Sequence, residues 1–173
     1  MYNKLGRYVL MAIFALSALV SFYFYQYQLA LISATLSAFI LWSHIKQSSV
    51  LLASKHFKNS DYDRAEQVLN EVDRPDMLSK GRRGFYEFMR ANIALKRDQF
   101  DVAEHHFQIA SRYPLGGKND KAYVLIHLAN LALRKKDSER ALAYTEKAKE
   151  LATSSRAIDI ITTIEKEAKK LAK

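Results

Sequence analysis

Apolar and polar positions are segregated along this chain. Residues 8–43 contain no Lys, Arg, Asp or Glu, and every acidic residue lies beyond Asn59. As one helix this stretch would extend ~54 Å at ~1.5 Å per residue, too long for the ~30 Å hydrocarbon core of a bilayer. Two helices fit, with Tyr25, Gln26, Tyr27 and Gln28 as the least apolar point between them. The pattern predicts a transmembrane hairpin over 1–45, with spans at about 8–25 and 29–45, and a composition boundary between Trp42 and Lys46. Beyond the boundary the hydrophobic residues recur at helical spacing, which predicts an all-α remainder.

Flanking residues orient the hairpin. Tyr2, Tyr8, Tyr23, Tyr25, Tyr27 and Trp42 fall at interfacial levels, Lys4 and Arg7 precede the first span, and Lys46, Lys55 and Lys58 follow the second. The positive-inside rule then places both termini in the cytoplasm; the membrane is expected to be a bacterial inner (cytoplasmic) membrane. A cleaved signal peptide, a buried soluble hairpin and a re-entrant segment compete with this reading. The first is disfavoured because the sequence stays apolar from Leu19 to Ser43. No ionisable residue lies inside the spans, which speaks against a proton relay or ion site. Ala30, Ala34 and Ala38, with Ser33 and Ser37 beside them, form a small-residue stripe suited to packing the hairpin on itself or to docking a partner's helix.

The polar two-thirds repeats. Ala65, Ala103 and Ala141 lie 38 residues apart in segments that align without gaps, and Ala53, Ala91 and Ala129 each precede them by 12 residues. Each unit reads as helix, short polar turn, helix. Asp61, Asp98 or Asp137 is placed to cap the second helix of its unit. The extra residues of the period are assigned to the links Arg74–Arg83 and Arg112–Asp120, which hold both prolines and three of the five glycines. Ile158, Ile161, Ile164, Ala168 and Leu171 form one apolar stripe, the signature of a helix closing a stack.

These residues resemble the tetratricopeptide repeat (TPR), whose consensus pairs a small residue in the first helix with Ala-x3-Phe in the second. The match is fullest at Ala91, Phe100, Ala103, Phe107 and Ala110. It is thinner in the third unit, where Ser138 and Thr145 stand at the aromatic positions, and no unit begins with Trp. The resemblance implies a three-repeat α-solenoid over 46–173, with repeats at about 46–83, 84–121 and 122–153 and a capping helix at 154–172. It also implies a binding groove along the first helices of the units. Carried onto this sequence, the groove residues are Phe57, Phe85, Phe88, Asn92, Lys96, Tyr123, Ile126, His127, Asn130 and Arg134. Asn92 and Asn130 either bond the backbone of an extended ligand or are solvated surface amides.

Charge adds a second candidate. The net charge is +9, and Lys58, Lys96, Arg97, Arg134, Lys135 and Lys136 fall at the same point of successive units. Stacking would align them as a stripe for anionic lipid, nucleic acid or an acidic protein face, or they complement helix C-termini. Catalytic chemistry has little support: there is no Cys, the pair His105 and His106 is not at ligand spacing, and no phosphate-binding glycine loop occurs. The expectation is a non-enzymatic adaptor without cofactor or metal. It would be held in the bilayer by two spans and bind a membrane or cytoplasmic protein, as a peptide or helix in its groove, with no nucleic acid. In architecture it is similar to the two-span repeat subunit of Pel-type exopolysaccharide secretion systems. A basic-surface protein for anionic lipid or nucleic acid is the alternative.

Overall fold

The computed structural model describes the backbone of residues 4–47 and 49–172 and the side chains of residues 6, 8–42 and 49–172. Tyr2 and the side chains of Lys4, Arg7 and Lys46, used above for orientation, lie outside the described residues. Among the described residues the chain is all-α: α1 Lys4–Tyr23, α2 Tyr27–Gln47, α3 Val50–Lys58, α4 Tyr62–Asn70, a 3-10 turn Pro75–Met77, α5 Lys80–Lys96, α6 Phe100–Ser111, α7 Lys118–Arg134, α8 Ser138–Leu151 and α9 Ser155–Leu171. It divides into two compact units between Ser79 and Lys80.

In the first unit, α1 and α2 form a hairpin. Tyr25 adopts a left-handed φ of 58° in its turn, where Gln26 N donates to Ser21 O at 2.9 Å. The seam is made by half-buried Met11, Phe14, Ala18 and Ser21 against Ala30, Ser33, Ser37 and Ile40, spaced by three and four residues so that each set shares one helix face. Ser17 and Ser33 hydroxyls meet at 3.3 Å and Ser37 Oγ donates to Met11 O at 3.5 Å. Of the small-residue stripe, Ala30, Ser33 and Ser37 therefore face α1, whereas Ala34 and Ala38 are exposed.

The membrane assignment does not hold. Among the described residues no helix is long and apolar enough to cross a membrane. This overturns the transmembrane hairpin, with its spans at 8–25 and 29–45, and the bacterial inner-membrane placement.

In the same unit α3 packs on α4 around Val50, Ala53, Ala65 and Leu69, all fully buried. α2 ends at Gln47 and α3 starts at Val50, so the two are separate helices.

One turn geometry recurs in three hairpins. Ser60, Asp98 and Lys136, 38 residues apart, have φ of 60°, 58° and 58°. The next residue in each case donates its N–H to a carbonyl five residues back: Asp61 to His56, Gln99 to Ala94 and Asp137 to Ala132, each at 3.0 Å. This 6→1 closure ends a helix where the chain must reverse, and the left-handed residue makes it geometrically possible. Asp61 and Asp137 then cap the following helix, accepting from Arg64 N at 3.3 Å and Arg140 N at 3.0 Å. Asp98 does not cap α6; it occupies the left-handed position, and the cap position falls to Gln99, whose side chain makes no capping bond.

In the second unit α5 packs on α6, α6 on α7, α7 on α8, and α9 on both α7 and α8. Ala91, Ala103, Ala110, Ala129 and Ala148 are fully buried, and Phe107, Val124, Leu128 and Ile161 fill the space beside them. The absence of a side chain beyond Cβ at these alanines lets helix backbones approach, and the large neighbours close the gap. Helices α5 and α7 are each 17 residues long. They begin inside the segments expected to be links, so the 38-residue period is carried by longer first helices. α9 buries Ala157, Ile161, Ile164 and Ala168 and leaves Ile158 and Leu171 exposed.

Candidate functional site

An open cleft of about 490 Å³ lies in the second unit, lined by Leu95, Phe100, His127, Asn130, Leu131, Leu133, Arg134, Glu167 and Leu171. Helix geometry accounts for much of it. His127, Asn130, Leu131 and Arg134 sit three or four residues apart on α7 and so present one face. Leu95 comes from the last turn of α5, Phe100 opens α6, and α9 supplies Glu167 and Leu171.

Two aromatic contacts fix its polar side chains. The His127 imidazole stacks on the Phe107 ring with centroids 4.8 Å apart and an interplanar angle of 7°. Burial pushes the His127 pKa below the ordinary histidine value, which keeps the ring neutral with one donor and one acceptor nitrogen. Arg134 Cζ lies 3.7 Å from the Phe100 ring centroid, a cation–π contact that holds the guanidinium at the cleft. Asn130 is exposed there, with an amide able both to donate and to accept. The remaining walls are leucine side chains together with the exposed Glu167 carboxylate. Such a surface recognises apolar side chains flanked by backbone or side-chain hydrogen-bonding groups.

The remaining expected groove residues are distributed differently. Ile126 is 3% exposed and belongs to the core, because it points to the side of α7 that meets the other helices. Asn92 Nδ2 donates to Phe88 O at 2.8 Å, so one of its donors serves its own helix. Phe88 packs edge-on against Phe107, with centroids 6.4 Å apart, and Tyr123 is half-buried against the same core. Phe85 is half-buried and Lys96 exposed; neither lines the cleft. Phe57, in the first unit, packs edge-on against Tyr62 at 5.4 Å.

The basic stripe is partly engaged in structure. Lys135 Nζ lies 2.6 Å from both Asp101 Oδ1 and Glu104 Oε2, and Arg140 Nη2 donates to Glu104 Oε1 at 2.5 Å. Burial pushes the Glu104 carboxyl up, but hydrogen bonds and charge from Lys135 and Arg140 outweigh it and leave the pKa below the usual carboxylate value. Hydrogen bonds to Asp101 and Glu104 hold the Lys135 pKa above its usual value. Lys135 is thus a tie between α6 and the turn after α7. Arg134 is bound to Phe100, while Lys58, Lys96, Arg97 and Lys136 are exposed. A second buried carboxylate, Glu87, is 1% exposed and pairs with Arg83 Nη2 at 2.8 Å and with His106 Nδ1. Among the described residues no group of three or more His, Cys, Asp or Glu side chains is arranged to hold a metal ion.

Sequence reasoning missed Leu95, Phe100, Leu131, Leu133, Glu167 and Leu171 as lining residues. The available signal was Leu171, whose position at the end of the α9 stripe put it beyond the last buried turn at Ala168. Compared with known proteins, the chain matches no family model, no curated protein and no solved structure.

Proposed function

We propose that this chain is a non-enzymatic helical-repeat scaffold, similar to tetratricopeptide repeat proteins, that binds a partner protein through the cleft between α5, α6, α7 and α9. The observation that carries the reading is the exposed Asn130 amide set between Arg134 on Phe100 and the neutral His127 on Phe107, over leucine-rich walls. A peptide or helix supplies the matching chemistry: apolar side chains for the walls and hydrogen-bonding groups for the amide. The ionised groups of the unit favour a structural role, since Glu87 and Glu104 are each occupied by a cation. The basic stripe is the weaker surface, because Lys135 is tied to two carboxylates and Arg134 to an aromatic ring.

The test is quantitative affinity capture with the tagged full chain. Asn130→Ala and Arg134→Ala are expected to reduce recovery of a partner, and Asn92→Ala to leave it unchanged. Equal recovery from all three variants and the original chain would contradict the proposal.

A further inference from the structure

The α1–α2 hairpin presents a surface that a lone chain cannot stably keep bare. Eighteen large hydrophobic side chains between residues 8 and 42 are 42–78% exposed. At ~150–250 Å² per large side chain and roughly 60% exposure this is on the order of 2,000 Å². The largest apolar patch on a typical monomer is about 300–600 Å², and one side of a stable protein interface is about 800 Å². The shape is specific as well. One face carries a groove of about 790 Å³ with Ala15, Ala34 and Ala38 beside the larger Leu19, Phe22 and Leu31. Ala34 and Ala38 take no part in the seam with α1, yet they are the small residues in a surface of large ones. The hairpin's Ser17, Ser33, Thr35 and Ser37 hydroxyls are bonded within the hairpin.

We infer that this groove is a self-association interface, occupied by the same hairpin of a second copy of this chain. The exposed apolar area summed around the hairpin, of which the groove face is one part, exceeds what one side of a stable dimer needs. With no Lys, Arg, Asp or Glu in residues 8–43, nothing charged is desolvated and no like charges meet. Groove and ridges lie on one hairpin, so a two-fold axis sets each copy's large side chains against the other's alanines. Residues near that axis meet their own equivalents.

The chain has no cysteine, which makes the test direct. Ala34→Cys and Ala38→Cys, each in the full chain in intact cells, are expected to give under mild oxidation a disulfide-linked species at twice the 19.9 kDa chain mass. Leu36→Cys, outside the groove lining, and Glu146→Cys, exposed on α8, are expected to remain monomeric. Adding Ala34→Phe to Ala38→Cys fills the groove and should abolish the cross-link. The inference is overturned if Ala34→Cys stays monomeric, if Leu36→Cys cross-links as strongly, or if the filled groove still cross-links. It is also overturned if mass spectrometry finds a different protein in the linked species. Protection of Ala34→Cys from oxidation, together with flotation of the chain on phosphatidylethanolamine–phosphatidylglycerol vesicles, would likewise overturn it by showing lipid in the groove.

Discussion

The His127 imidazole on α7 lies parallel to the Phe107 ring on α6, 4.8 Å away, joining the second helix of one repeat to the first helix of the next. Burial holds the His127 pKa down, so the folded state resists protonation while the unfolded chain accepts a proton near the ordinary value of ~6.5. The unfolded state then binds more protons, and stability rises with pH across that window. The contribution is present above pH ~6.5 and is lost as pH falls from there through the lowered folded pKa. Urea midpoints measured between pH 8 and 5 are expected to fall on acidification in the original chain, and His127→Phe should flatten this dependence while keeping the ring stack.

Glu104 sets a second, more acidic window. Its folded pKa is lowered, so its stabilisation is complete above the unfolded value of ~4.3 and is lost as pH falls below it. Glu104→Gln removes the charge that Lys135 and Arg140 share. Both cations are 43% exposed and regain water, so the cost is about 1–2 kcal/mol rather than that of a fully buried pair. Chemical denaturation at pH 7 checks the size, and loss of the acid dependence below pH ~4.3 checks the cause.

Two glycines on α5 are expected to behave oppositely. A Cβ on Gly84 would come within 2.7 Å of Pro114 O, a backbone atom of the chain leading into α7, so Gly84→Ala should destabilise by about 1–3 kcal/mol. A Cβ on Gly81 meets nothing within 4 Å, and Gly81→Ala should be neutral to stabilising by about 0.5–1 kcal/mol. Thermal melts of the two variants distinguish close packing from helix propensity.

The sequence made the helical character, the 38-residue spacing and the alanine crossings readable, because each depends on local periodicity: Ala53, Ala65, Ala91, Ala103, Ala129 and Ala141 are all fully buried. It misassigned Asp98 because an acidic residue near a helix start suits a cap equally well on paper. Only backbone geometry distinguishes the left-handed position from the cap position after it. Ile126 was placed in the groove by family register, one residue from His127, yet the ~100° between neighbours on a helix turns it into the core. The long apolar stretch was readable as a hairpin but not as membrane spans, since no described helix is both long and apolar enough to cross a membrane. Leu95 and Glu167 were illegible because they reach the cleft from helices far away in sequence.

The central claim, that the cleft around Asn130 receives a partner protein, is tested most directly by placing a photo-cross-linking amino acid at residue 130 of the full chain in its native cells, with residue 146 on α8 as the reference. The account predicts that residue 130 links to a discrete protein, that residue 146 does not, and that Arg134→Ala weakens the link. Identical cross-linking patterns at 130 and 146, or a link at 130 indifferent to Arg134→Ala, would contradict it.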